Sequence, residues 1–271
     1  MNIKGKVAVI TGAAGGIGRA VAIELAKRGI GNLGLVDKTE AVQELCTEIN
    51  QLMGRQLATG YTGDVTEETF RTHVYRDLRE KHGVVSICVP AAGITRDGLS
   101  VKFDKQTDSM AIYPVKTFRL ITEVNLIAPI YWGLELLAGI ADFRRKSGLK
   151  RWEPTEDILG SIILIGSVSS QGNKGQLSYS ATKAALAGAA STLSAEGIYH
   201  GVRCGVIHPG FTDTPMVRAL GEDYIQQNII PQTQLRRLIQ PEEIADAICF
   251  MISNSAVSGA LWADAGWRPA A

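Results

Sequence analysis

The sequence predicts an α/β protein built on one doubly wound parallel sheet of about seven strands, with helices on both faces. Three observations carry this. Short runs of consecutive apolar residues, rich in Val and Ile, recur along the 271 residues, as in strands buried on both faces. Stretches of helical period separate them. A glycine-rich turn joins the first such strand directly to the first helix.

Residues 6–10, KVAVI, form the first strand, and TGAAGGIG follows at 11–18. RAVAIELAKRG then has helical period and stops at Gly29. A helix N-terminus presents free N–H groups and the positive end of its dipole, which suits a pyrophosphate. Gly12, Gly16, Ile17 and Gly18 are the residues expected to touch it, the glycines letting the backbone come close. The second strand, 33–36, ends in Asp37, 19 residues after Gly18. A carboxylate there accepts hydrogen bonds from ribose hydroxyls and repels a 2′-phosphate. No Arg or Lys sits inside the glycine loop, and Lys38 is the one opposing charge. The cofactor expected is therefore NAD rather than NADP.

Residues 40–53 read as a helix and 57–62 as a third strand leading to Asp64 and Val65. Asp64 suits either an adenine amine or the N-cap of a helix over 67–81. A fourth strand, 84–89, ends in Pro90-Ala91-Ala92-Gly93, where small side chains leave room for a nicotinamide ribose. Residues 94–114 lack a clear period and read as an ordered loop with room for a short helix. A long helix over 116–137 carries Asn125. Residues 138–157 read as a charged, solvated loop, with contact to an anionic partner through Arg144, Arg145, Lys146, Lys150 and Arg151 as the alternative. The fifth strand, 161–165, runs into Gly166 and Ser167. A helix follows over 178–199, then a sixth strand over 202–207 closed by His208-Pro209-Gly210. Residues 211–239 have weak order signals and several apolar side chains, as expected of a substrate lid. Pro241 opens a helix, and 258–263 is the last strand. Neither repeat nor linker interrupts 1–271, which predicts a single domain.

In QLSYSATKAALAG, 176–188, Tyr179 and Lys183 are four residues apart, hence on one helix face. An ammonium beside a phenol favours phenolate and suits it to proton transfer near neutral pH. Alone, such a pair also fits a plain surface helix.

Apolar residues make up 45% and charged residues 20%, within the range of soluble globular chains. A net charge of +1 gives no field for nucleic acid or an anionic membrane. No unbroken apolar run reaches the length of a spanning helix, and the N-terminus lacks the pattern of a signal peptide. Cys46, Cys88, Cys204 and Cys249 are far apart in sequence, so reduced thiols and no metal site are expected. These features predict a cytoplasmic protein.

In this order and spacing the motifs resemble the short-chain dehydrogenase/reductase family over essentially the whole chain. They are T-G-x-x-x-G-x-G at 11–18, Asp37, Asp64-Val65, Ala92-Gly93, Asn125, Ser167, Y-x-x-x-K at 179–183, and Pro209-Gly210 with Thr212 and Thr214. GFTDTP at 210–215 and QPEEIA at 240–245 are most similar to 3-oxoacyl-reductase-like members. The resemblance implies a Rossmann-type fold and hydride transfer between a nicotinamide and a secondary alcohol or ketone, an acyl thioester among the substrates to consider. Tyr179 would be the general acid for reduction and the base for oxidation. Lys183 would lower its pKa and hold the nicotinamide ribose, Ser167 would hydrogen-bond the substrate oxygen, and Asn125 would anchor a relay water. A homotetramer or homodimer through helices 116–137 and 178–199 is also implied. The chain departs from the family where Ala91 replaces the usual Asn, which puts strand bracing there in question, and where Asp264-Ala265-Gly266 replaces Asp-Gly-Gly. A catalytically silent dinucleotide-binding sensor or scaffold is the alternative from another class; epimerisation or dehydration is a third reading.

Overall fold

A computed structural model describes residues 1–106 and 108–267. Thr107, inside the loop expected over 94–114, and the end of the expected domain at 268–271 lie outside the described residues. The first half alternates strand and helix: β1 Val7–Thr11, α1 Gly16–Lys27, β2 Asn32–Asp37, α2 Ala41–Met53, β3 Ala58–Thr62, α3 Glu68–His82 and β4 Val85–Pro90. A hairpin follows, β5 Val101–Asp104 and β6 Ser109–Ile112, then α4 Val115–Thr122, a π turn at Glu123–Ile127 and α5 Ala128–Lys146. The chain continues through β7 Gly160–Ile165, α6 Leu177–Gly197 and β8 Val202–Pro209. Short helices α7 Pro215–Arg218 and α8 Glu222–Tyr224 precede α9 Pro241–Ser253 and β9 Gly259–Ala263.

Seven strands pair in parallel in the order β3-β2-β1-β4-β7-β8-β9. Consecutive residues of a central strand serve opposite cores: Ala8 and Ile10 face α1, α2 and α9, whereas Val7 and Val9 face α3, α5 and α6. That two-sided burial explains why β1 is apolar at every position instead of alternating. The strand order reverses between β1 and β4, and the crevice at such a switch point, beyond the carboxyl ends of the strands, is where ligands bind in this architecture.

Three segments differ from expectation. Residues 94–114 contain an antiparallel hairpin, with Val101 opposite Ile112 and Phe103 opposite Met110. These four side chains share one face and are all exposed. The long helix runs on to Lys146, well into the loop expected over 138–157. Arg144 holds that extension: 1% exposed, it pairs with Glu156 at 2.5 and 3.0 Å and donates to the Lys150 carbonyl. Arg145 and Lys146 pair with Asp142, so much of the basic cluster is spent within the chain. Residues 211–239 are ordered by α7, α8, a π turn at Ile225–Ile229 and a small core of Ile225, Ile229 and Leu238. The helical segment Val115–Lys146 is long and apolar enough to cross a membrane by composition alone, with mean hydropathy 1.5. Its inward side packs on β4 and β7 through Trp132, Leu136 and Ile140, which accounts for part of that apolarity.

Candidate active site

The glycine turn needs glycine for reasons visible in the backbone. Gly12 has φ +65°, and a Cβ there would lie 2.7 Å from Ala92 N. A Cβ on Gly18 would strike the Gly12 carbonyl. The turn therefore lies flat against the end of β4. Helix α1 starts at Gly16 after an extended Gly15, and no side chain caps it. Its first N–H groups remain free to receive an anion, so the turn fits a pyrophosphate. Asp37, at the end of β2, accepts from Ala14 N at 3.0 Å and from Thr39 N and Oγ1 at 3.1 Å. These bonds hold its carboxylate at the cleft. Lys38 reaches away, onto Asp64 at 2.9 Å, and Arg19 pairs with Glu48. Arg19, just after the glycine turn, and Lys38, beside Asp37, are thus already matched by carboxylates.

A cleft of about 320 Å³ runs across the switch point. It brings together Gly12, Gly16, Ile17 and Gly18 from the first turn, Asp37 from β2, and Ala92 and Gly93 beyond β4. Ser167 comes from just past β7, Tyr179 and Lys183 from α6, Pro209 from the end of β8, and Gly210, Thr212 and Thr214 from beyond it. Thr214 also caps α7, accepting from Val217 N at 3.4 Å. Three expected residues, Asp64, Val65 and Asn125, are not in the cleft wall. Asp64 accepts from Thr66 N and Oγ1 and from Lys38, which hold its carboxyl down at about 2, Lys38 contributing most. Val65 is buried, and its carbonyl accepts from Trp132 Nε1 at 3.0 Å. Both residues close the β3–α3 turn. Gly15, Ala91, Gly166, Pro215, Met216 and Val217 line the cleft as well. Gly15 was legible as a neighbour of the motif glycines; Met216 and Val217 depended on how the 211–239 segment folds.

Ser167, Tyr179 and Lys183 converge at one end of the cleft. Ser167 has extended backbone and accepts from Ser169 N at 3.1 Å. Burial raises the Tyr179 phenol above its ordinary pKa, Asp97 adds to the rise, and the hydrogen-bonded Ser167 hydroxyl opposes both. The lowering expected from Lys183 is therefore not what dominates. The Lys183 ammonium donates to the Ile165 carbonyl at 2.7 Å and lies 5.5 Å from the centre of the Tyr179 ring. Burial depresses Lys183 itself to about 8. Asn125, fully buried in the π turn, grips Ile94 through both polar atoms: Oδ1 accepts from Ile94 N at 2.9 Å and Nδ2 donates to Ile94 O at 2.8 Å. It stands behind Gly93 rather than in the cleft wall. The bracing put in question by Ala91 is supplied by Thr11, whose carbonyl accepts from Ala91 N at 3.2 Å and whose hydroxyl accepts from Ala92 N at 3.1 Å. Val168 and Ser169, which follow Ser167, are buried, and Ser169 Oγ donates to Gln176 Oε1.

A parallel α/β sheet with an uncapped glycine turn and a Ser-Tyr-Lys cluster at its switch point has the make-up of a dinucleotide-dependent oxidoreductase. The profile of the short chain dehydrogenase family matches residues 6–225, and the chain belongs to that family, oxidoreductases of CH–OH or keto groups that bind a nicotinamide dinucleotide. It is 33% identical over 257 residues to the 3-oxoacyl-[acyl-carrier-protein] reductase FabG of Escherichia coli (strain K12), covering 94% of this chain and 93% of that protein. It is also 33% identical over 259 residues to the acetoacetyl-CoA reductase of a Synechocystis species, covering 95% and 92%. Among solved structures, an actinorhodin polyketide ketoreductase with NADPH superposes with a TM-score of 0.80 at 24% identity, covering 97% of each chain, a likeness of fold.

Proposed function

We propose that the chain is an NAD(H)-dependent ketoreductase or alcohol dehydrogenase acting on a secondary alcohol or ketone, with a 3-oxoacyl thioester as the substrate class. The observation that carries the chemistry is the convergence of Ser167, Tyr179 and Lys183 at one end of the cleft. The names of the reductases from Escherichia coli and Synechocystis support the thioester. When bound, the nicotinamide supplies or accepts the hydride.

The protein's part is binding and proton handling. In reduction the Tyr179 hydroxyl gives its proton to the carbonyl oxygen, and in oxidation the phenolate takes one. The Ser167 hydroxyl donates to the same oxygen as negative charge develops there. Lys183 holds the nicotinamide ribose and favours phenolate once its ammonium turns toward the cleft. Asn125 braces the 93–95 turn beside Lys183, and we assign the relay water to that turn. Gly12, Gly16, Ile17 and Gly18 seat the pyrophosphate, and Asp37 meets the adenosine ribose. Ala92, Gly93, Pro209, Gly210, Thr212 and Thr214 border the nicotinamide end. We further assign 211–239 as the lid of a single catalytic domain spanning 1–271, working in the cytoplasm as a homotetramer or homodimer.

NAD over NADP rests on Asp37 being fixed at the cleft while Lys38 and Arg19 are paired elsewhere. Acetoacetyl-CoA reduction, followed by the absorbance of the reduced nicotinamide, tests the whole reading. NADH is expected to give the higher kcat/KM; a preference for NADPH overturns the role given to Asp37. Tyr179→Phe is expected to keep NADH binding and lose about 100-fold or more in kcat, the scale of a lost general acid. Turnover like that of the unmutated protein in this variant overturns the assignment of Tyr179.

A further inference from the structure

The β7–β8 ladder ends for a covalent reason. Ile165 lies opposite Ile207, and Gly166 N still donates to the Ile207 carbonyl at 2.7 Å. Pro209 then has no N–H with which to extend the ladder. The side chain of the residue before it fills the gap. His208 Nδ1 lies 3.3 Å from Ser167 N, 3.1 Å from Ser167 O and 3.2 Å from Ser170 Oγ. The Ser167 carbonyl already accepts from Ser170 N at 3.0 Å. The Ser167 N–H is aimed at Nδ1, whose one lone pair the Ser170 hydroxyl can share, and the tautomer that accepts this N–H carries its proton on Nε2.

Packing keeps the ring in that place. His208 is 3% exposed and stacks on Trp262, with ring centres 4.2 Å apart and planes within 14°. Next to the ring is Gly166, where a Cβ would come within 2.5 Å of Nδ1. Burial lowers the imidazole pKa, Lys183 adds to that, and the Ser167 carbonyl pulls the other way, so the ring stays neutral near pH 7.

We infer that His208 is a positioning residue for the reaction: through Nδ1 it fixes the main chain of Ser167, and so the direction in which the Ser167 hydroxyl meets Tyr179 and the substrate oxygen. This rests on the proton-handling roles given above to Ser167 and Tyr179. A small misplacement of such a group lowers kcat far more than it lowers binding.

The test compares three variants in acetoacetyl-CoA reduction, with NADH affinity measured by fluorescence titration. His208→Ala is expected to lower kcat about 10-fold or more, with the NADH Kd within about two-fold. His208→Asn places an amide oxygen where Nδ1 stood and is expected to recover most of kcat. His208→Gln carries its amide one bond too far and is not. Equal activity of the Asn and Gln variants overturns the inference, and that comparison still decides if the Ala variant fails to fold. A weakened NADH Kd with kcat intact also overturns it, since His208 would then act through Pro209 and Gly210. Unchanged kcat in His208→Ala overturns it while leaving the ketoreductase reading in place. An unmutated protein that binds NADH but reduces no ketone removes that reading, and this inference with it.

Discussion

An ammonium that is 5% exposed and has a carbonyl at 2.7 Å is a charge kept at a cost in folding stability. Burial brings Lys183 to about 8 in the folded chain, against an ordinary value of 10.5. Below about pH 8 both folded and unfolded forms hold the proton, and the cost is fully present. Between about 8 and 10.5 the folded form sheds its proton while the unfolded form keeps it, so stability rises with pH. From pH 7 to pH 10 the gain is about 2 kcal/mol, from the difference between the two pKa values. Lys183→Met removes that term. Urea unfolding at the two pH values should show the unmutated protein gaining about 2 kcal/mol relative to Lys183→Met as pH rises, and parallel behaviour would show the ammonium to be solvated. An ammonium whose proton is loosely held near pH 8 suits the role proposed above for Lys183.

At the scale of elements, α5 and the segment after it depend on one buried guanidinium. Arg144 is 1% exposed and bonds to Glu156 and to the Lys150 carbonyl, whereas the side chain of Arg145 beside it is 73% exposed. Arg144→Ala leaves Glu156 and that carbonyl without their partner and should cost about 3 kcal/mol, while Arg145→Ala should cost about 0.5 kcal/mol or less. Urea midpoints of the two variants check this; equal effects would place Arg144 in solvent. The contrast also shows what sequence patterning can and cannot reveal. All seven strands of the sheet were legible to within about two residues, because two-sided burial writes an unbroken apolar run. The helices that cover them were legible by period, except where α5 continues through the charged run 142–146, in which Arg144 alone is buried, against Glu156. The hairpin was missed although Val101-Lys102-Phe103-Asp104 alternates, because each of its strands is only four residues long and the second, SMAI, does not alternate cleanly. Asp37 and the Ser167–Tyr179–Lys183 cluster could be read from motif spacing. His208 could not, since its place depends on Gly166 and Trp262, which are distant in sequence and chemically unremarked.

At the scale of the molecule, the sheet satisfies only one side of the α4–α5 segment. Trp132, Leu136 and Ile140 turn inward, but Leu120, Ile127 and Tyr131 are 47%, 38% and 49% exposed. Ile127 and Tyr131 are four residues apart and so share one side of α5, while Leu120 lies across the π turn on α4. On α6, Leu177 is exposed as well, at 47%. Contiguous apolar surface of this kind on a folded chain marks an interaction site, and a second copy of the chain carries the matching surface. The homotetramer or homodimer proposed above would bury it. Analytical ultracentrifugation at micromolar concentration should therefore return two or four times the 29.1 kDa of the chain. A carboxylate placed in the middle of such a face meets its own copy across a two-fold axis, and two buried like charges resist closure. Tyr131→Glu should shift the population toward monomer while leaving the far-ultraviolet circular dichroism unchanged. A monomeric unmutated protein, or an assembly that Tyr131→Glu leaves intact, would place the interface elsewhere on the molecule.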